Sequence, residues 1–159
     1  MTPPDWPGRL AFLLGKWVDE ERLGEPGTDA ASGETWRSEL DGRLLVRNGW
    51  CEFPATATRP AFRHEDLLIV FADDEGQAHG IFWDNEGHTI SYRDIRVAPE
   101  GKGVRLSSDP STLGPRQQLE YRFEGPGRLT AVFSLQLPGE TKFSPYLRWR
   151  SARTDPSAR

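Results

Sequence analysis

The side chains of this sequence best suited to chemistry are three histidines, one cysteine and a tyrosine–arginine pair near its end. His64 lies in Phe62-Arg63-His64-Glu65-Asp66, His79 follows an acidic turn, and His88 ends the run Asp84-Asn85-Glu86-Gly87-His88. His64, His79, His88 and Asp84 thus surround one pair of turns. Dedicated metal centres fix their donors by spacing, as in His-x-His or a helical His-Glu-x-x-His. Neither pattern occurs here, so no metal site is predicted. His88 and Tyr92 share one face of any strand that carries both. Turned inward, they would offer a ring nitrogen and a hydroxyl to a ligand; the competing role for His88 is to close the Asp84–Gly87 turn on a backbone carbonyl. His64, just ahead of an apolar run and among acids, reads as a loop histidine near the mouth of whatever the strands enclose.

Nucleophilic chemistry finds little support. Cys51 is flanked by Trp50 and Glu52, with no neighbouring cation to favour a thiolate, and reads as a buried small hydrophobe. No Gly-x-Ser-x-Gly elbow is present. Tyr146 and Arg148 share a strand face, and inward they would suit a carboxylate or phosphate. Phe143, Leu147 and Trp149 form the apolar face, however, which sends Tyr146 and Arg148 to solvent unless a bulge near Pro145 reverses part of the strand. No catalytic residue is predicted.

The totals narrow the classes further. A chain of 159 residues suits one domain. A net charge of -4, with basic residues scattered among acids, gives no attraction to phosphate backbones, and no nucleic-acid partner is expected. A single cysteine excludes an internal disulfide framework. The first residues lack a basic segment followed by an apolar stretch, and no window is apolar for the roughly eighteen residues that a spanning helix needs. The expected location is the cytoplasm, with no membrane span. Six Trp and eight Phe against one Met point to an aromatic-lined interior or binding surface.

The elements that must position these residues are short strands. Leu10 to Trp17 reads as a helical or turn-like entry after Pro7-Gly8, and Lys16 to Glu21 as the first strand. Leu23 to Gly33 is loop. Glu34 to Leu40 and Arg43 to Phe53 flank Asp41-Gly42, a two-residue hairpin signal. Asp66 to Ala72, His79 to Trp83, His88 to Val97 and Val104 to Ser107 follow, separated by acidic or glycine-bearing turns. Gln117 to Phe123, Leu129 to Leu137 and Thr141 to Arg150 complete the series, and residues 151–159 read as a polar tail after a single domain over 1–150. Short turns with no intervening helix exclude a parallel sheet. A meander of this length removes its edges by closing. The fold class is therefore all-β: an up-and-down antiparallel β-barrel of about ten strands with a short N-terminal helix.

Leu13-Leu14-Gly15-Lys16-Trp17 resembles the Leu-x-Gly-x-Trp entry of calycins, and Ile81-Phe82-Trp83-Asp84-Asn85-Glu86-Gly87-His88 is similar to a hairpin of bacterial calycin-like proteins related to nitrobindin-type haem-binding and fatty-acid-binding barrels. The resemblance implies a lipocalin-like barrel with an internal pocket. It also implies haem held by a last-strand histidine in a Pro-His-Leu context. Here Ser144-Pro145-Tyr146-Leu147-Arg148 stands instead, with Tyr146 in the ligand's place, and the family's Gly-x-Trp-x-Gly-x-Gly entry is broken after Trp17. No cofactor is therefore predicted; haem on tyrosinate is the alternative.

The expected interior comprises Trp17, Trp36, Trp50, Tyr92, Tyr121, Phe133 and Trp149. The residues predicted to contact a ligand are Trp36, Trp50, His64, Trp83, His88, Tyr92, Tyr121, Tyr146, Arg148 and Trp149. The function expected is binding of a small apolar or amphipathic molecule. Two alternatives are a haem barrel with nitrobindin-like or isomerase-type activity and a partner-binding barrel that pairs as a homodimer.

Overall fold

Pro7 and Gly8, expected to stand ahead of the first helical turn, lie inside it. In the computed structural model, which describes residues 5–23, 30–110 and 114–154, α1 spans Trp6–Arg9 and is followed by a 3-10 turn, Ala11–Leu13. Proline is tolerated there because the first amides of a helix lack intrahelical partners in any case. The turn buries Leu10 and Leu13 and hands the chain to β1 (Gly15–Leu23) through Gly15, whose φ of 122° a side chain would resist.

Nine further strands follow: β2 (Ala31–Glu39), β3 (Leu44–Phe53), β4 (Phe62–Ala72), β5 (Ala78–Asp84), β6 (Thr89–Val97), β7 (Gly103–Ser108), β8 (Arg116–Gly125), β9 (Arg128–Gln136) and β10 (Ser144–Arg153). Each pairs antiparallel with its sequence neighbours, and β1 pairs with β10, so the meander closes into a ten-stranded barrel without a free edge. The all-β class, the closed up-and-down barrel and the short N-terminal helix are as the sequence leads one to expect.

The boundaries need four corrections. β2 starts at Ala31 rather than Glu34, because Ala31 to Gly33 find ladder partners in Trp50 to Glu52. Asp41-Gly42 is no two-residue hairpin: Glu39 pairs with Leu44, and Leu40, Asp41 and Gly42 all take positive φ in a longer loop. β4 starts at Phe62, so His64 belongs to a strand and pairs with Cys51. β10 starts at Ser144 rather than Thr141 and runs past Arg150 through Ser151, which is fully buried, to Arg153. The predicted loop at 24–29 and the tail at 155–159 lie outside the described residues.

One end of the barrel is plugged. Trp17 is buried and donates its indole N–H to the Leu13 carbonyl at 2.7 Å, while the Arg153 guanidinium lies 4.5 Å from the Trp17 ring centre. Phe12 meets Phe123 edge-on at 6.3 Å, Arg153 donates to the Phe12 carbonyl, and Arg9 donates to Ala98 across the β6–β7 turn. Above this plug the inner positions Leu45, Val70, Val104, Leu106 and Leu129 are buried. Apolar burial of this kind is worth roughly 1.5–3 kcal/mol per side chain. Toward the other end the inner face changes character, and there the candidate site lies.

Candidate functional site

Cross-strand register decides which side chains look inward. Trp36, Arg47, Leu68, Phe82 and Ile90 pair in turn across β2 to β6, forming one row around the wall. The next row away from the plug is Glu34, Gly49, Asp66 and Asp84, and the one after it is Ser32, Cys51 and His64. Because Trp36 and Leu68 belong to the core, these alternate positions face the interior. The barrel thus carries acids and a guanidinium on its inner wall.

They meet at Glu34. Its carboxylate accepts from Arg47 Nε at 2.5 Å, from the Tyr121 hydroxyl at 2.8 Å and from Trp36 Nε1 at 3.2 Å. Arg47 Nη1 pairs in addition with Asp66. Tyr121 packs edge-on against Trp36 and, on its other side, against Trp149. Burial pushes the Glu34 carboxyl above its ordinary range even against the pull of Arg47, and burial raises the Tyr121 and Tyr92 hydroxyls as well. For Asp66, burial alone would act upward, but Arg47 and His64 together hold the carboxyl below its usual value. Gly49 makes room for this group: a Cβ there would lie 2.5 Å from an Asp66 carboxylate oxygen.

His64 stands between two carboxylates. Its Nε2 is 3.5 Å from Asp66 and its Nδ1 is 2.8 Å from Glu86. The bond to Asp66, opposed by burial and reinforced by Glu86, raises its pKa above 6.5. A raised folded-state value contributes stability that is complete below 6.5 and is lost as pH climbs through the folded value. Asp66, with its lowered value, contributes above 3.8 and loses that contribution as pH falls. The urea midpoint is therefore expected to decline as pH rises from 6.5 upward, and His64→Gln to flatten that decline. Equal slopes in the two proteins would refute the assignment.

Further from the plug, the inner apolar residues Phe53, Phe82, Ile90, Phe133, Leu147 and Trp149 are half-buried. Arg22 of β1 reaches across to donate to Cys51 Sγ at 2.8 Å and lies 6.0 Å from the Phe53 ring. Cys51 is buried as expected, but it does have a cation beside it. The sequence hid that contact because Arg22 is remote along the chain.

Among the predicted ligand-contacting residues, Trp36, Tyr92 and Tyr121 are inward and buried, while His64 and Trp149 are inward and half-buried. The other five lie on the outer face, in a turn or on the rim. Trp50 and Trp83 face outward: Arg63 covers the Trp50 ring at 5.1 Å, and both indoles line an outer groove of about 440 Å³ together with Leu67 and Asn48. His88 is exposed and closes its turn on the Asp84 carboxylate at 2.8 Å, rather than on a carbonyl. Arg148 stays outside, as the parity of Leu147 and Trp149 requires. Tyr146 falls in the bulge between Pro145 and Leu147; it is 44% exposed and meets Phe133 edge-on at 6.3 Å, so it sits on the rim.

Sequence reasoning missed Glu34, Arg47 and Asp66. The signal was the shared parity of Glu34 with Trp36, which places an acid on the aromatic face.

No protein-family model matches the chain, and no curated protein matches it. The chain is similar in structure to Rv2717c from M. tuberculosis, with a TM-score of 0.60 over 93% of this chain and 96% of that one, at 14% identity. A likeness at that identity establishes the barrel fold and nothing finer. No helix among the described residues is long and apolar enough to cross a membrane.

Proposed function

We propose that the barrel is open at the end away from its plug and binds a small apolar or amphipathic molecule there. The observation that carries this reading is the division of the inner wall: apolar residues are sealed at the plugged end, whereas Phe53, Phe82, Ile90, Phe133, Leu147 and Trp149 face inward yet stay partly open to solvent. Apolar surface kept wet in a concave site is a standing incentive for an apolar guest. Beneath it, the Glu34–Arg47–Tyr121 cluster forms a rigid polar floor whose groups are already paired with one another. The guest's apolar part would lie against Phe133, Leu147 and Trp149, and its polar end would point to the rim.

Haem is not part of this reading. The family resemblance would bring it on Tyr146, but that side chain stands at the rim, nearly half in solvent, and the charged cluster occupies the interior at mid-height. These residues do not fit a buried, tyrosinate-ligated haem, and adding haem is expected to give no Tyr146-dependent Soret band.

Titration with fatty acids and retinoids, followed by Trp fluorescence, tests the proposal. A ligand at the open end quenches Trp149, and Leu147→Glu weakens binding at least tenfold. Silence across the panel, or binding indifferent to Leu147→Glu, would overturn it. A second reading, pairing with another copy of the chain, rests on the outer groove with its 39% exposed Trp83. Light scattering after size exclusion separates the two, since Trp83→Ser would break a dimer and leave an inner pocket intact.

A further inference from the structure

Asp84, Glu86 and His88 alternate along the β5–β6 turn, and His64 of β4 stands beside them. One donor atom from each of His64, Asp84 and Glu86 falls within 4.8 Å of the others. The turn is fixed in that position by Asn85, whose amide donates to the Arg63 carbonyl at 2.9 Å, whose side-chain oxygen accepts the Glu65 N–H at 3.0 Å, and whose own N–H donates to the Glu65 carbonyl at 3.0 Å. These three bonds bracket His64 and hold Glu86 over its ring.

Two observations separate this group from an ordinary exposed acidic turn. First, His64 faces Glu86 through Nδ1 while its other nitrogen faces the buried Asp66, which Arg47 anchors in turn. A carboxylate behind the distal nitrogen is how proteins orient a metal-binding imidazole and strengthen it as a donor. Second, the Asp84 side chain is almost wholly buried; one of its oxygens accepts the backbone N–H groups of Glu86 and His88, and the other bonds the His88 ring. That second oxygen is held in place by the first, and His88 is exposed and able to swing.

We infer that His64, Asp84 and Glu86 form a binding site for a borderline divalent transition ion at the rim of the barrel, with His88 placed to become a fourth ligand. One imidazole with two carboxylates suits Zn²⁺ or Co²⁺; calcium, magnesium and manganese sites favour oxygen donors, and soft ions favour thiolate or thioether sulfur. The ion takes the place of the proton shared by His64 and Glu86. It also balances an acid-rich corner in which, among the described residues, Asp66, Asp84 and Glu86 form their ion pairs with Arg47 and the imidazoles. The site needs no guest in the barrel and is independent of the ligand reading.

The test uses the full chain, stripped with chelator and titrated with Co²⁺ and Zn²⁺. One equivalent of Co²⁺ is expected to give the visible absorption of a low-coordinate site, displaced by Zn²⁺. Glu86→Gln, an exposed turn substitution that leaves the barrel intact, is expected to weaken Zn²⁺ at least tenfold, and His64→Gln more. NMR should show Zn²⁺ shifting the His64 ring signals and leaving those of His79 unmoved. Absence of binding at millimolar Zn²⁺, or affinity unchanged in Glu86→Gln, overturns the assignment; so does a shift confined to His79 or His88.

Discussion

Replacing Arg47 by methionine is expected to destabilise the barrel by about 3–5 kcal/mol, the usual cost of leaving buried charges without their partner. The reason is stoichiometric: one guanidinium answers two buried inward carboxylates, those of Glu34 and Asp66. Without it, Glu34 keeps, among the described residues, the Tyr121 hydroxyl and the Trp36 indole, both neutral donors. Methionine fills much of the volume, so the loss reports charge more than cavity. Urea unfolding of the variant, and of a triple variant adding Glu34→Gln and Asp66→Asn, makes the check. The triple variant should recover most of the loss, since neutralising a whole buried network is far less costly than breaking it. A single-variant loss below about 1 kcal/mol, the scale of a surface pair, would show that water reaches the cluster.

Trp17→Ala carries the second large effect, about 3–5 kcal/mol for removing a fully buried indole. Trp17 contributes in three ways: apolar burial over the plug, an N–H that satisfies the Leu13 carbonyl, and a ring on which the Arg153 guanidinium lies. Its removal should also release the 3-10 turn, so amides of residues 10–14 are expected to exchange faster than those of β3 and β4. Trp17→Phe keeps a ring for Arg153 and should fall between the two proteins. If Trp17→Ala costs no more than a change at the exposed Trp83, the plugged end does not bear on stability.

The contrast between those two tryptophans also shows what could be read from the residues in order. Turns at Asp73–Gly76, Asp84–Gly87 and Gly125–Gly127 were legible because acids and glycines interrupt alternating runs, and ring closure followed from a meander that would otherwise leave two edges. Facing was legible only where alternation is clean, as in β9 and in β10 beyond its bulge, which kept Arg148 outside. In β3 the run Leu44–Phe53 has apolar residues at adjacent positions, so alternation did not fix its facing and the expectation of Trp50 in the interior rested on its being aromatic; its register with Glu65 turns it outward. The inner polar cluster stayed hidden because charged residues read as solvent-facing until pairing places Glu34 beside Gly49 and Arg47 beside Leu68. His64 read as loop for a related reason: the polar start of β4 lacks apolar alternation, yet its ladder with β3 is complete.

The seam between β1 and β10 joins strands from opposite ends of the sequence, with Trp17 beside Arg153 and the Lys16 carbonyl accepting the Thr154 amide. During synthesis, the first strand therefore emerges from the ribosome with one long side unanswered and must wait for the last strand to be made. Pairings this distant along the chain slow folding and lengthen the time for which a naked strand can find the wrong neighbour. The charged residues Glu20 and Glu21, carried by that waiting strand, disfavour such pairing in the interval.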